Sequence, residues 1–430
     1  MMQAKKRNMT LRAVLSIIAV MIILFVGMGS VYSHFGGLGT GKCADTGEFS
    51  KYAALVSDIT IPEQTQIVAL GEATHGNKEF QKLRLDVFKI LVEQYGVRAF
   101  ALEGDFGGCE AVNRYIHGGE GTAAEAVSAI GFAIYRTDEM EALAEWMRSY
   151  NETAAAGADL CFYGFDMQRY AHSYEYLLEA AEKDGINTAE LEEIWDREAA
   201  TYAEDCTLER RTEVLTAIKE KLPESDAKAI HYAEVLLQNT QLGQYVDSAA
   251  EYPARRDQMM AGNALWILQQ EQERGNRCIF VSGHNGHVEQ FGSYGQDSKV
   301  MGNMLADKLG DDYFVIGTDF YKTSCNLPKG AEGERMTHSF YSHDPLAKAS
   351  RKCGFEISYL DFSAVPETSA LRSAIDEYTW MGSLGEAYNP LIMSVLPASY
   401  RVWRAPSAVY DAMIFVTEAS PTEIKPLTLQ

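Results

Sequence analysis

In the stretch IVALGEATHGNKEF, Ile67 to Phe80, a glutamate and a histidine stand three residues apart directly after an apolar run. An imidazole titrates near neutrality, and a carboxylate beside it fixes its tautomer and stabilises its charged form. Glu72 and His75 therefore have the makings of an acid–base pair. The same spacing also suits a helix cap or two ligands of a metal site. A second cluster, SGHNGHV at Ser282 to Val288, places His284 and His287 three apart behind another apolar run. Other runs end in Glu103 and Asp105, in Asp166, and in Thr318 with Asp319. Arg84 falls between Phe80 and Phe88 on the i±4 row, inside an apolar stripe. A guanidinium there needs either a carboxylate partner or an outlet into a polar cleft.

The apolar runs themselves are TQIVAL, VRAFALE, LCFYGFD, RCIFVSG, YFVIGTDF, FEISYLDF and DAMIFVTE. Most are apolar almost continuously, as expected of strands covered on both faces of a parallel sheet. Between the first two, Phe80, Leu83, Val87, Phe88, Leu91 and Tyr95 recur at helical spacing and Gly96 supplies a stop. Strand, helix, strand is a βαβ unit, so the fold class expected is α/β: three layers, a mostly parallel sheet flanked by helices. From about 173 to 272 the chain turns rich in Glu, Ala and Leu with few strand signals, which reads as a helical insertion of two long hairpin-like helices. In an open parallel sheet ligands sit at the carboxyl ends of the strands, where these titratable residues gather.

A net charge of -22 argues against nucleic acid or an anionic membrane surface as partner. Nearly half of the residues are hydrophobic, enough for a large core. Seven cysteines are scattered without a CxxC pair, so no disulfide framework or zinc ribbon is indicated. No GxSxG elbow, P-loop or HExxH occurs, and GDFGGCE is spaced wrongly for GxGxxG. No spacing is diagnostic of a metal, and neither metal nor cofactor is assigned. His34, His117, His172, His231, His338 and His343 lack such context and read as surface or structural residues.

Lys5, Lys6, Arg7 and Arg12 precede an uncharged stretch from Ala13 to Tyr32. That is the length of a spanning helix, about 20 residues, and exceeds the core of a signal peptide. Residues 1–33 are expected to be a single-pass anchor, or else a cleaved signal, with the basic flank inside and the rest extracytoplasmic. Residues 34–47 read as a Gly-rich linker and 48–430 as the main domain.

Five motifs, in order, resemble the erythromycin esterase family: GEATHGNKEFQKLR, ALEGDFGG, YGFDMQ, RDQMMAGNALWIL and SGHNGHV. Glu72, His75, Glu79 and Arg84 are in register with its GExxH…E…R signature, and Arg256, Asp257, Met260, Asn263 and Trp266 with its RDxxMAxNxxW helix. The resemblance implies hydrolysis of a macrolide's macrolactone ester by water that His75 activates, without a covalent intermediate. It implies that Glu72 and Glu103 orient the imidazole and the water, while Arg84, His284, His287 and Asp166 line the substrate site. The partner would be a small-molecule ester. Two other readings of the same residues stay open: a metal-dependent hydrolase or peptidase, and a non-catalytic envelope-associated binding protein.

Overall fold

The computed structural model describes residues 2–35, 42–295, 298–330, 333–393 and 396–427. It begins with one helix, α1 (Met2–Phe35). Within it Leu11–Gly29 has a mean hydropathy of 2.6, and every residue from Leu11 to Met28 is exposed. At 1.5 Å per residue, those residues span about 28 Å, close to the thickness of a bilayer's hydrocarbon layer. Residues 36–41 of the expected linker lie outside the described residues.

All seven apolar runs enter one sheet. Its strands are β1 (Ile67–Glu72), β2 (Ala99–Asp105), β3 (Cys161–Asp166), β4 (Ile279–His284), β5 (Tyr313–Pro328), β6 (Arg335–Tyr341), β7 (Ile357–Asp361) and β8 (Ala412–Ala419). Their order is β7-β8-β5-β1-β4-β2-β3, and β6 pairs with the second half of β5. Neighbours from β8 to β3 run parallel, whereas β7 on β8 and β6 on β5 are antiparallel. Every residue of β1, β2 and β3 is buried. Alternate residues serve opposite cores: Ile67 and Ala69 join Leu177, Leu236 and Ala264, while Val68 and Leu70 join Leu83, Phe88 and Leu143. A strand of period two between two helical layers yields this division, and the expected three-layer α/β fold is what forms.

On one face lie α2 (Lys78–Tyr95), α3 (Phe106–Ile116) and α4 (Asp138–Asn151). Helix α2 turns Phe80, Leu83, Arg84, Val87, Phe88 and Leu91 inward and ends at Gly96, whose φ of 69° lets its N–H close on Leu91 O. Between β3 and β4 the chain forms α5 (Ala171–Lys183), α6 (Leu208–Lys219), α7 (Ala227–Leu242) and α8 (Glu251–Glu273), two long helices more than the pair expected. Tyr174, Val214, Leu236 and Met260 from these helices share the core of the sheet's other face.

One close approach levels the strand ends. A Cβ on Gly71 would meet Asn285 Oδ1 at 2.1 Å, so only glycine fits beside this side chain. Asn285 in turn bridges to the next strand, donating from Nδ2 to Thr318 O at 2.7 Å and accepting Thr318 N at 3.2 Å. The carboxyl ends of β1 and β4 are thereby held against β5 at Thr318.

Candidate active site

Glu72 is the last residue of β1, and His75 follows in the turn before α2. His75 Nδ1 lies 2.6 Å from Glu72 Oε1. With Nδ1 donating to a carboxylate, the lone pair of the neutral ring is on Nε2. Arg84 Nη2 lies 2.8 Å from the same Oε1, an ion pair without the alignment of a hydrogen bond. Arg84 is held by Ser282 Oγ at 3.1 Å from Nε, by Gln81 Oε1, and by the ring of Tyr135, 5.1 Å beneath it. Burial disfavours the Glu72 carboxylate, but the charges of Arg84 and His75 outweigh it and hold its pKa below the usual value. Burial likewise opposes charge on His75, yet Glu72 raises its pKa above 6.5, with Glu103 adding to the effect.

A second network surrounds Glu103. Its Oε2 accepts the backbone N–H of His284 at 2.7 Å, and its Oε1 lies 2.8 Å from Arg256 Nη2 and 3.3 Å from His287 Nε2. Arg256 comes from α8, where Asp166 grips it through Oδ2 at 2.7 Å from Nη2 and 3.2 Å from Nε. His287 Nδ1 is 2.8 Å from Asp257 Oδ1, and Arg256 Nη1 is 3.1 Å from His287 Nε2. Burial would raise the pKa of Glu103, but His287 and Arg256, with His75, hold it far below the ordinary carboxylate range.

His284 differs from its neighbours. Its Nδ1 accepts Gly286 N at 3.1 Å, which puts the proton on Nε2, and that nitrogen is buried with no partner among the described residues. Burial first, then the nearby charge on His75 and His287, pushes its pKa down to about 3. At neutral pH it is an uncharged N–H donor, its ring centroid 5.0 Å from that of His75.

The structure thus links Glu72, His75, Arg84, Glu103, Asp166, His284 and His287 at one edge of the sheet. Arg84 and Asp166, read from the sequence as lining a substrate site, are 1% and 0% exposed. Each faces a charged partner, because a buried ion stays charged only when compensated. Of the two readings of Arg84, the ion pair is the one observed. Arg256 and Asp257 were legible as motif residues but not as part of this network. Their signal was two adjacent charges abutting the buried positions Met260, Asn263 and Ala264 of the same helix. Asp319 stands apart: it accepts Ser342 Oγ at 2.8 Å and Gly382 N at 2.9 Å.

Chemically, the arrangement offers a carboxylate-backed imidazole with a free Nε2, a neutral N–H donor beside it, and two fixed positive charges. His75, His284 and His287 each commit at least one ring nitrogen to a protein partner, and Arg84 and Arg256 already place positive charge among the carboxylates.

A family profile described as "Erythromycin esterase" matches residues 92–419, beginning downstream of Glu72, His75 and Arg84. Erythromycin esterase type II of Escherichia coli is 27% identical over 359 residues, 70% of this chain and 82% of that one. Putative hydrolase YbfO of Bacillus subtilis (strain 168) is 22% identical over 303 residues, 60% of this chain and 65% of that one. A Bacillus cereus protein shares the fold at a TM-score of 0.72 and 21% identity, covering 89% of this chain and 100% of that one. A mutant erythromycin esterase, EreC, in its open conformation does so at 0.56 and 16% identity, covering 85% and 93%. With three quarters of its length under that profile, the chain belongs to the erythromycin esterase family.

Proposed function

We propose that the chain is a carboxylic ester hydrolase and that its substrate is the macrolactone of a macrolide. The observation that carries the reading is Glu72 Oε1 on His75 Nδ1 at 2.6 Å, with the other ring nitrogen left for a proton. Water would lose a proton to His75 Nε2 as its oxygen attacks the ester carbonyl. The imidazolium is stabilised by Glu72, whose own charge Arg84 maintains. Glu72 Oε2 is buried without a partner among the described residues, which suits it to hold that water. His284 Nε2–H, also unpartnered, is the donor for the oxyanion. Collapse of the tetrahedral species breaks the C–O bond of the ring, and the departing alkoxide takes the proton back from His75. One ester and one water become one acid and one alcohol, with no bond to the enzyme.

Helix α1 would anchor the enzyme, with the basic residues Lys5, Lys6 and Arg7 on the cytoplasmic side and the sheet outside. The full chain in detergent, incubated with erythromycin, is expected to yield a product heavier by one water, while the intact mass of the protein shows no adduct. An unchanged macrolide under conditions where other esters are cleaved would overturn the substrate assignment. Failure on every ester tested would overturn the hydrolase.

A further inference from the structure

At the opposite end of β3, some 17 Å of strand away from Asp166, a second set of donors converges. His117 closes α3, and Asp159 and Cys161 lead into β3. One donor atom from each lies within 4.8 Å of the others. We propose that His117, Asp159 and Cys161 bind one divalent transition ion of the zinc class, at a site separate from the histidine cluster.

Three observations point to a cation here. His117 Nδ1 sits 2.7 Å from Asn113 O, which only accepts, so Nδ1 carries a proton and Nε2 is turned outward. A backbone carbonyl behind one ring nitrogen is the usual support for a histidine that ligates through the other. Nε2 then lies 3.1 Å from Asp159 Oδ2, where two acceptors can meet only across a cation or a shared proton. Finally, a guanidinium already gathers the other two donors: Arg274 Nη2 is 2.8 Å from Asp159 Oδ2, and Nη1 contacts Cys161 Sγ.

Arg274 has somewhere to go. Its Nη1 is also 2.9 Å from Glu271 Oε1, and its side chain is 29% exposed. The donors border a cavity of about 650 Å³ open to solvent. On binding, Cys161 gives up its thiol proton to buffer, and thiolate plus carboxylate neutralise a divalent ion. Imidazole, carboxylate and thiolate suit tetrahedral zinc, with a fourth position for water.

The test uses the full chain in detergent, stripped of metal and titrated with Co²⁺. One equivalent is expected to bind with a thiolate-to-cobalt charge-transfer band, and Zn²⁺ is expected to displace it. Cys161→Ser should abolish the band and, like Asp159→Asn, weaken Zn²⁺ binding by about tenfold or more. Arg274→Met, which removes the competing cation, should tighten binding, and His75→Ala should leave it unchanged. Circular dichroism screens each variant for folding, and Asp159→Asn serves if Cys161→Ser fails that screen. Absence of the band overturns the site in favour of a protonated His117 in a plain ion pair. So does a band that survives Cys161→Ser, weaker binding in Arg274→Met, or loss of the ion in His75→Ala.

Discussion

Arg84 and His75 meet at a single atom, Oε1 of Glu72, from 2.8 Å and 2.6 Å respectively. The guanidinium is 1% exposed and the imidazole 10%, so at Oε1 the carboxylate's charge is compensated by these two neighbours. Arg84 keeps Glu72 ionised, and ionised Glu72 makes His75 more basic.

His75→Ala is expected to fold, since Arg84 still compensates Glu72. Its ester hydrolysis should fall by about 10²–10⁴, the usual contribution of a general base. Steady-state kinetics beside a circular-dichroism melt checks both halves; wild-type kcat in the folded variant would remove His75 from the chemistry.

The pH profile carries a sign. His75 acts as a base only when neutral, and its pKa lies above 6.5 because Glu72 outweighs burial. The acid limb of kcat/KM should therefore fall above that value. In Glu72→Gln the main opposition to burial is gone and only the weaker pull of Glu103 and Glu386 remains, so the limb should move to lower pH while the plateau drops. A limb that stays in place would mean that another group sets it.

Arg84→Met strands a buried carboxylate and is expected to cost about 3–5 kcal/mol in denaturant unfolding. Adding Glu72→Gln should recover part of that loss, giving a coupling energy between the two sites. Because the folded pKa of Glu72 lies below 4.5, this coupling is present at neutral pH and is lost as pH falls through the folded value. Additive losses in the double variant would sever the link.

His284→Ala removes an N–H donor and no charge. It should reduce kcat by about 10²–10³ with a smaller effect on KM, as for loss of one oxyanion donor. The acid limb should stay near its wild-type position, because His284 does not take up a proton until about pH 3. A variant altered chiefly in KM would recast His284 as a binding residue.

If α1 spans a membrane, alkaline carbonate should leave the full chain in the pellet, whereas residues 48–430 alone should be soluble and retain esterase activity. Release of the full chain by carbonate would point to a cleaved or peripheral segment.

The order of apolar and polar residues was enough to read the layers and the strand ends. Continuous apolar runs such as IVAL and AFAL can be satisfied only between two helical faces, and period two then assigns Ile67 and Val68 to opposite cores. It also determined which residues follow each strand, and hence that Glu72, Glu103, Asp166 and His284 emerge at one edge. The antiparallel strand Arg335–Tyr341 left no such mark, being partly exposed and so not apolar throughout. Which charge pairs with which came only from the packing of distant segments. Asp166 faces Arg256 across 90 residues of chain, and Arg84 reaches Ser282 across 198. Spacing reports only neighbours within a turn or a strand, whereas a buried charge takes its partner from whichever element the packing brings against it. For that reason Arg84 and Asp166 turned out to hold other charges in place, and Arg256 came to stand among the histidines.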